Sequence, residues 1–284
     1  MPKQALILGS RGFIGSSVAS RFVADGKLKV ISMGSADVDL CDTDVAAPIL
    51  TQNMKDAVVV FCAGRHRQRG DTHDIMLQNL AMVQSIIKAA EQQKPEHIIF
   101  LSSVEVYGLP KVMPITEQTP LEPHFLYAVG KVTCEMMLQC YAEKANVPLT
   151  ILRLPGIYGP GDDGISIISK LIQTSRGEAN FKLFGNGQDL RDYVFVEDLA
   201  DLILCLAQDG VGQGVLNVAT GHSLSVLDLI KAVREHFGAF DVDSVTAVAS
   251  SNFDLIFDTS NLIKSVPDFQ FSSISDGFSK YENT

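Results

Sequence analysis

The chain has 284 residues, and 33 acidic against 23 basic side chains give it a net charge of −10 at pH 7. This balance argues against nucleic acid and anionic membranes as partners, so local cations and backbone N–H groups must hold any anionic ligand. No apolar run approaches the roughly 18 residues that a membrane-spanning helix needs, and the five cysteines, odd in number and without a CxxC pair, favour reduced, buried thiols in a cytoplasmic protein.

Short apolar strands alternate with helices along the first half of the chain. Continuous apolar runs are typical of parallel strands that are buried on both faces. These strands are predicted at residues 5–8, 28–33, 57–64, 97–103 and 149–154. Helices are predicted at residues 12–24, 43–53, 72–93 and 126–145. The alternation predicts an α/β fold with a Rossmann-type, doubly wound parallel sheet.

The regular alternation weakens after residue 155, where glycine-rich turns and short strands follow. A strand and helix at 194–208 have the apolar pattern of elements that return to the main sheet. We therefore predict a dinucleotide-binding Rossmann domain over residues 1–155, to which about 192–210 returns. Most of residues 156–284 are predicted to form a smaller α/β substrate-binding domain.

A glycine motif, GSRGFIG at residues 9–15, follows the first strand and begins the first helix. In such a motif Gly9 allows a tight turn, Gly12 lets the backbone approach a pyrophosphate, and Gly15 lets the helix pack on the strand. The N-terminus of the helix offers N–H groups and a partial positive charge to the phosphates. The motif predicts dinucleotide binding, with a simple packing turn as the alternative.

Arg11 lies inside this motif, where a cation opposes the helix dipole at a cost of about 0.3–1 kcal/mol. Either its side chain turns into solvent, or it binds the 2′-phosphate of NADP. The second strand ends in MGSAD, whose Gly34 and Ser35 leave room for a phosphate where an NAD site normally has an acid. Asp37 is a candidate for a displaced acid of that kind. We expect NADP(H), with NAD as the alternative cofactor.

Tyr127 and Lys131 in YAVGK are four residues apart and share one face of their predicted helix. A nearby ammonium and an oxidised nicotinamide both favour the phenolate, which lowers the tyrosine pKa from its usual value of about 10. Tyr127 is therefore a candidate acid and base for interconverting a carbinol and a carbonyl. Ser103 ends a predicted buried strand, at the sheet edge where such folds bind ligands, and is a candidate to polarise the carbonyl. An exposed helix pair and an ordinary strand-ending serine are the alternative.

Several ordered motifs along nearly the whole chain resemble the extended short-chain dehydrogenase/reductases of the NAD-dependent epimerase/dehydratase family, which modify nucleotide sugars. The motifs are GSRGFIG, DL at 39–40, FCAG at 61–64, Asn79 in LQNL, SSVEVYG, YAVGK, RLPGIYGPG and RDYVFVEDLA. The resemblance implies that Tyr127 and Ser103 carry the proton chemistry. The residues that it places at the cofactor are Gly9, Gly12, Phe13, Ile14, Gly15, Asp39, Leu40, Ala63, Gly64, Asn79 and Lys131.

Two positions in the second half match substrate contacts of the family. Arg191, in LRDY, matches an arginine that family members use on the diphosphate or nucleotide of the substrate. A forked guanidinium suits that contact, and a surface ion pair with Asp189 or Asp192 is the alternative. Gly156 stands where many relatives have an asparagine that contacts the substrate, so that contact is missing or made otherwise.

Departures near the predicted catalytic serine restrict the chemistry. Dehydratases of the family have an Asp–Glu pair where this chain has Val104 and Glu105, so dehydration is not expected. Glu105 alone resembles the decarboxylating relatives and is a candidate substrate contact, with a polar wall residue as the alternative. The basic loop GRHRQRGD at residues 64–71 is a candidate for holding phosphates of the substrate or cofactor, against a solvated loop.

These residues together predict an NADP(H)-dependent reductase of a nucleotide-linked 4-keto hexose, with Tyr127 as the proton donor. The main alternative is an epimerase with the same residues and bound NAD⁺, similar to UDP-glucose 4-epimerase; a non-catalytic dinucleotide-binding module is the remote one. The resemblance also implies a homodimer, with Met136, Met137 and Cys140 in a core or a helix-bundle interface. No metal is expected, because the six histidines lack metal-ligand spacing.

Overall fold

The structure is a computed structural model that describes residues 2–67, 70–162, 164–209, 214–245 and 253–281. The strands are β1 Gln4–Leu8, β2 Lys29–Met33, β3 Ala57–Phe61, β4 His97–Ser103, β5 Leu149–Leu154, β6 Gly156–Tyr158, β7 Phe181–Phe184, β8 Tyr193–Phe195, β9 Gly214–Asn217 and β10 Val242–Val245. The α-helices are α1 Phe13–Asp25, α2 Thr43–Met54, α3 His73–Gln92, α4 Leu126–Ala145, α5 Ile167–Ser175, α6 Val196–Asp209, α7 Val226–Phe237, α8 Ser260–Ser265 and α9 Ile274–Tyr281. A 3₁₀ helix, Val104–Tyr107, follows β4 directly. The strands and helices predicted for the first half agree with these bounds to within a few residues.

Six strands form one parallel sheet in the order β2-β1-β3-β4-β5-β9. Leu6 of β1 pairs with Ile31 of β2 on one side and with Val59 of β3 on the other. The strand order therefore reverses at β1, and the carboxyl ends of β1 and β3 flank the crevice where doubly wound sheets bind ligands. The predicted doubly wound α/β sheet of Rossmann type is confirmed, with a single strand, β2, on the far side of β1.

Alternate residues of the buried strands face two helical layers. All five residues of β3, AVVVF, are buried, as expected for a central parallel strand. On one face, Val59 and its neighbours pack with α2, α3 and α4. On the other face, Val58 and its neighbours pack with α1 and α6. Both helical layers thus hold the carboxyl edge of the sheet in a fixed shape.

Two further parallel pairs, β6 with β8 and β7 with β10, lie outside the main sheet. A third core joins them to α5, α7 and α9 through residues such as Tyr158, Phe195 and Phe278. Of the strand and helix predicted at 194–208 to return to the main sheet, only the helix, α6, packs on it, because β8 pairs with β6. Strand β9, by contrast, pairs with β5 in the main sheet. The division into two domains after residue 155 stays a prediction. Within the described ranges, no helix is long and apolar enough to cross a membrane.

The five cysteines are all free thiols, as expected. The expectation that they are buried is correct for Cys134 and wrong for Cys140, which is exposed. Both lie on α4, six residues apart, and they face different sides because a helix turns about 100° per residue. Cys134 faces the core and Cys140 the outer surface of the helix.

A buried ion pair joins α4 to the sheet below the carboxyl ends of β4 and β5. Arg153 of β5 donates to both carboxylate oxygens of Glu135 on α4, at 3.2 and 2.7 Å. Arg153 also donates to the hydroxyl of Tyr107 at 2.8 Å, and the hydroxyl of Ser102 donates to Glu135. Because the two charged side chains are only 4% and 2% exposed, each depends on the other for compensation.

Candidate active site

The glycine loop connects β1 to the start of α1. Gly9 has a φ of +84°, and a Cβ there would lie 2.6 Å from the backbone nitrogen of Ala63. A Cβ on Gly15 would overlap the carbonyl oxygen of Gly9, whereas one on Gly12 would meet nothing closer than 3.4 Å. Gly12 is the N-cap of α1, without a side-chain cap or an acidic residue in the first turn. The fold itself requires Gly9 and Gly15, and the bare backbone at Gly12 fits a pyrophosphate at the helix N-terminus.

Arg11 is paired with Asp37, across the gap between the glycine loop and the end of β2. Its Nη2 lies 3.2 Å from Oδ1 of Asp37, whose Oδ2 accepts the N–H of Gly34 at 2.8 Å. The stem of the arginine crosses Gly34, where a Cβ would lie 2.7 Å from Cγ of Arg11. The Arg11 and Asp37 side chains remain 62% and 42% exposed. The charge of Arg11 at the start of α1 is therefore compensated by Asp37, an acid after β2, and not only by solvent.

Other residues assigned to the cofactor lie around this gap. Phe13 and Ile14 are half-buried in the first turn of α1. Asp39 is exposed, and its carboxylate accepts the N–H of Cys41 at 3.0 Å. Leu40 is 7% exposed and packs in the core, so it has only its backbone to offer a ligand.

The loop after β3 carries Ala63 and Gly64 and is held in shape by Asn79. The buried amide of Asn79 accepts the N–H of Arg65 at 2.7 Å and donates to its carbonyl oxygen at 2.9 Å. A Cβ on Gly64 would lie 3.7 Å both from Oδ1 of Asn79 and from Nζ of Lys131. The structure thus gives Asn79 a role in shaping the loop, and its contact with a cofactor stays a prediction.

Ser103 and Tyr127 meet at the carboxyl end of β4. The Ser103 side chain lies close enough to that of Tyr127 to act on its pKa, and Oγ of Ser103 accepts the N–H of Glu105 at 3.2 Å. Burial raises the pKa of Tyr127, as does the nearby Glu105 carboxylate, while Ser103 lowers it. In the protein alone the pKa is thus raised and not lowered as expected from Lys131, because burial outweighs the charges nearby. The pair has the arrangement of a hydroxyl acid and base with a second hydroxyl beside it.

Lys131 lies one helical turn after Tyr127, with its ammonium buried. Its Nζ donates to the carbonyl oxygen of Leu101 at 2.7 Å and lies 5.9 Å from the centre of the Tyr127 ring. Burial lowers the pKa of Lys131, whereas Cys134 and the carboxylate of Glu135 raise it. An ammonium has three donors, and the described residues give this one a single hydrogen-bond acceptor. Two donors of this ammonium therefore remain for a ligand beside Tyr127.

Glu105 lies beside this pair and is itself paired with Arg67. Its Oε1 accepts from Nε of Arg67 at 3.1 Å. Burial raises the pKa of Glu105, and the charge of Arg67 lowers it. Within the basic loop 64–71, Arg67 therefore binds a carboxylate of the protein, while Gln68 and Arg69 lie outside the described residues.

Asp71, at the end of the same loop, caps the helix that carries Tyr127. The N-cap residue of α4, Phe125, makes no side-chain capping bond. The N–H of Tyr127 instead donates to Oδ1 of Asp71 at 2.9 Å. The loop after β3 therefore holds the first turn of α4 through a residue outside the helix.

Arg191 belongs to a second group of contacts, near β8. Its Nη1 donates to the carbonyl oxygens of Leu190 and Phe253, each at 2.7 Å, and its guanidinium lies 4.5 Å from the centre of the Phe253 ring. Of the two ion pairs considered from the sequence, the structure contains the one with Asp189, at 3.6 Å. Asp192 instead accepts from Thr220, including its N–H at 2.9 Å.

Gly156 is exposed, and an aromatic ring lies beside it on the side where a Cβ would point. A Cβ there would lie 2.9 Å from Cδ1 of Tyr193, on the paired strand β8. The ring of Tyr193 therefore occupies the place where an asparagine side chain would begin. This contact explains why the chain has glycine at this position.

Sequence reasoning missed two contacts of the site: the capping role of Asp71 and the partner of Arg67. Each joins positions far apart in the chain, 56 residues between Asp71 and Tyr127 and 38 between Arg67 and Glu105. No local motif encodes such pairs. The one available signal was the absence of Ser, Thr, Asp or Asn just before the helix at 126, which indicates that a cap must come from elsewhere.

Comparison with known proteins identifies the chain. Residues 5–219 match the model of the NAD dependent epimerase/dehydratase family. The chain belongs to this family. It is therefore an enzyme of the NAD(P)-dependent, extended short-chain dehydrogenase/reductase type, in a family of nucleotide-sugar epimerases and dehydratases. The predicted family is confirmed, and a nicotinamide dinucleotide is the cofactor that its relatives support.

Among curated relatives, UDP-glucose 4-epimerase of Mycolicibacterium smegmatis is 28% identical over 267 residues, covering 84% of each chain. A solved UDP-glucose 4-epimerase of Thermotoga maritima with UDP-glucose is 20% identical, with a TM-score of 0.85 over 99% of both chains. A UDP-glucuronic acid 4-epimerase of Bacillus cereus with UDP-glucuronic acid and NAD is 21% identical, with a TM-score of 0.86 over 98% of both chains. At these identities the two solved structures show that the fold is shared.

Proposed function

We propose that the protein is a nucleotide-sugar 4-epimerase that interconverts UDP-hexoses and uses NAD as a bound cofactor. The observation that carries this proposal is the pairing of Arg11 with Asp37 at 3.2 Å. A carboxylate after the second strand is what an NAD-type ribose site uses, and the arginine beside it is already compensated. The similarity to curated UDP-glucose 4-epimerases supports the same choice.

Tyr127, Ser103 and Lys131 carry the proton chemistry in this proposal. A bound nicotinamide supplies reversible hydride acceptance at the sugar carbon. The Tyr127 phenolate accepts the proton of the sugar hydroxyl when that carbon is oxidised and returns it when the carbonyl is reduced from the other face. Ser103 donates a hydrogen bond to the same oxygen, and the ammonium of Lys131 stabilises the phenolate and binds ribose hydroxyls.

A reductase that uses NADP(H) on a nucleotide-linked 4-keto hexose is the second candidate. The 62% exposure of the Arg11 side chain favours it, since the guanidinium can leave Asp37 and bind a 2′-phosphate. Breaking the pair between Arg11 and Asp37 costs little, because an exposed ion pair contributes only about 0–1 kcal/mol. The two functions share every other residue of the site.

The substrate is proposed to bind between the carboxyl edge of the main sheet and the elements after residue 155. Arg191 is the candidate for the diphosphate, because two carbonyl oxygens and the ring of Phe253 hold its guanidinium in place. Glu105 is the candidate for a sugar hydroxyl, since its carboxylate acts on Tyr127 and its side chain is 29% exposed.

We also propose that two copies pair through α3 and α4. A groove on the outer face of these helices is lined by Ile87, Met136, Met137, Cys140 and Tyr141, among others. Met136 is 58% exposed, and an exposed large apolar side chain beside other apolar groove residues is typical of an interaction surface. A second copy that brings the same two helices to this face would bury it.

The experiment is to incubate the purified protein with UDP-glucose, without added cofactor, and to separate the products by chromatography. The proposal expects UDP-galactose to form until equilibrium, and NAD to be released when the protein is denatured. The reductase predicts no such reaction and consumption of NADPH with a 4-keto sugar nucleotide. Gly12→Val is the control for the cofactor site, because a Cβ there comes only within 3.4 Å of the Gly9 carbonyl oxygen while adding bulk where the pyrophosphate is proposed to bind, and it should abolish retention of the nucleotide.

A further inference from the structure

Arg67 joins three parts of the site: the loop after β3, the 3₁₀ helix after β4 and the start of α4. Its Nε lies 3.1 Å from Oε1 of Glu105, and its guanidinium lies 4.4 Å from the centre of the Phe125 ring. The Arg67 side chain is 40% exposed and that of Glu105 29%, so the ion pair is partly buried and partly accessible to solvent. The stacking on Phe125 fixes the direction from which the guanidinium reaches the carboxylate.

Glu105 is a charged neighbour of the tyrosine that the proposed function uses as acid and base. Burial has the largest effect on the pKa of Tyr127, and the Glu105 carboxylate is the next cause that raises it, while the Arg67 guanidinium lowers it. An uncompensated carboxylate there would oppose formation of the phenolate.

The other groups that face Tyr127 and Glu105 come from three elements. Asp71, in the loop, accepts the N–H of Tyr127 and adds a second negative charge near Glu105. Lys131 and Cys134 face the tyrosine from α4, and Ser103 faces it from the end of β4. Among the described residues Arg67 is the cation in direct contact with Glu105, as Lys131 donates to the carbonyl oxygen of Leu101.

We propose that Arg67 is a positioning residue that sets the ionisation of Tyr127 by neutralising Glu105. The guanidinium holds Glu105 at a fixed place, 3.1 Å from its Nε, and offsets part of the effect of that carboxylate on the phenol. Glu105, whose side chain is 29% exposed, can therefore contact a sugar hydroxyl while its effect on the phenolate is reduced. This inference rests on the proposed function for its consequence in catalysis, and its electrostatic part can be tested without turnover.

The test uses the NAD⁺-loaded protein and follows the phenolate of Tyr127 by ultraviolet difference absorbance across pH, with Tyr127→Phe as the blank. Arg67→Met keeps the apolar stem over Phe125 and removes the charge. We expect it to raise the midpoint of the phenolate titration by roughly one pH unit. Glu105→Gln should lower the midpoint, and the double variant Arg67→Met/Glu105→Gln should return it close to that of the wild type. Arg67→Lys, which keeps the charge, should stay close to the wild type.

A role of Arg67 in folding of the loop alone would not be reversed by a change at Glu105. An unmoved midpoint in Arg67→Met, or a shift that persists unchanged in the double variant, overturns the inference. The acid limb of kcat/KM for UDP-glucose should move in parallel with the titration. If the titration follows the expected pattern while UDP-glucose is not converted, the proposed function fails and the inference about Arg67 stands. If UDP-glucose is epimerised while the midpoint is the same in all variants, the proposed function stands and the inference about Arg67 fails.

Discussion

At the scale of single residues, the chemistry of the site depends on buried ionisable groups whose charges are compensated nearby. Burial moves the pKa values of Tyr127 and Lys131 in directions that oppose their charged forms. Ser103 and Glu135 act in the other direction on these two groups, respectively. A tyrosine in such surroundings ionises readily only when positive charge is added, and an oxidised nicotinamide would add it.

Replacing Tyr127 by Phe removes the group that we propose moves the proton and should leave the fold intact. General acid–base catalysis contributes about 10²- to 10⁴-fold, so we expect kcat to fall by that factor with little change in the midpoint of urea unfolding. Tyr141→Phe is the matched control, since its hydroxyl bonds the carbonyl oxygen of Ala90 at 2.8 Å, several turns further along α4. An activity loss of similar size in both variants would contradict the assignment.

His97 gives the fold a dependence on acid pH that is independent of the active site. The residue is 4% exposed, and its Nε2 lies 2.8 Å from Oγ1 of Thr150. Burial lowers the pKa of His97 to about 4. Below the ordinary histidine pKa of about 6.5, His97 is protonated in the unfolded chain and stays neutral in the folded chain. The free energy of unfolding therefore falls as the pH falls toward the pKa of the folded state.

We expect the wild type to lose roughly 2 kcal/mol more than His97→Gln between neutral pH and about pH 5, measured by urea unfolding. Glutamine retains a donor for Thr150 and cannot be charged. His73→Gln, at an exposed position, is the control and should leave the pH dependence of the wild type unchanged. Identical pH dependence in the wild type and His97→Gln would show that this histidine is not the cause.

At the scale of elements, α4 organises the site, because it carries Tyr127 and Lys131 and is tied to the chain at two levels. Asp71 holds its first turn, and the buried pair of Glu135 with Arg153 holds its middle to the sheet. Tyr127 and Lys131 are therefore held in fixed positions relative to the carboxyl ends of β4 and β5. The helix is positioned by residues outside it rather than by its own cap.

Asp71→Ala should loosen this first turn. Loss of a helix cap costs about 1 kcal/mol in the free energy of unfolding, and the resulting misplacement of Tyr127 should lower kcat. Asp71→Asn keeps an oxygen acceptor of the same shape and should retain most of both quantities. Thermal unfolding and initial rates check the two variants together. If Asn is as damaging as Ala, the charge of Asp71 matters and the capping explanation is wrong.

Most elements of the fold could be predicted from the sequence because their signals are local. Continuous apolar runs and helical periodicity are read within windows of a few residues, and they placed the strands and helices of the first half. The glycine motif and YAVGK are equally local. Pairing of charges is not: Arg11 and Asp37 are 26 residues apart and meet only because β1 and β2 are neighbours in the sheet.

For some contacts of the site the sequence contains a weak signal that does not identify the partner residue. Arg153 is a cation inside the apolar strand LTILRL, which indicates a buried ion pair but does not name Glu135 as its partner. Leu40 was assigned to the cofactor by the family resemblance, and its side chain packs in the core. The packing of Tyr193 on Gly156 depends on the pairing of β6 with β8, which no local pattern predicts.

At the scale of the whole molecule, two surfaces remain to be matched with partners: the carboxyl edge of the main sheet and the outer face of α3 and α4. The first collects the glycine loop, Ser103 and Tyr127, and is the proposed site of the cofactor and substrate. The second is apolar and away from the sheet, and it is the proposed interface between two copies.

Met136→Glu should separate the proposed dimer, because it puts a charge at the centre of a face that a second copy would bury. Sedimentation velocity is expected to show a dimer for the wild type and a monomer for the variant. Val23→Glu is the matched control, since Val23 is 65% exposed on α1, a different helix. A monomeric wild type, or equal dissociation in both variants, would contradict the proposed interface.

The central claim is that a hydride leaves and returns to the same carbon of a nucleotide-linked hexose. The most direct measurement is to supply the purified protein with UDP-glucose that carries deuterium at C4 and to locate the label in the product by NMR and mass spectrometry. We predict a 4-epimer that retains the deuterium at C4. Loss of the label to water, its appearance at another carbon, or the absence of any epimer would contradict the account.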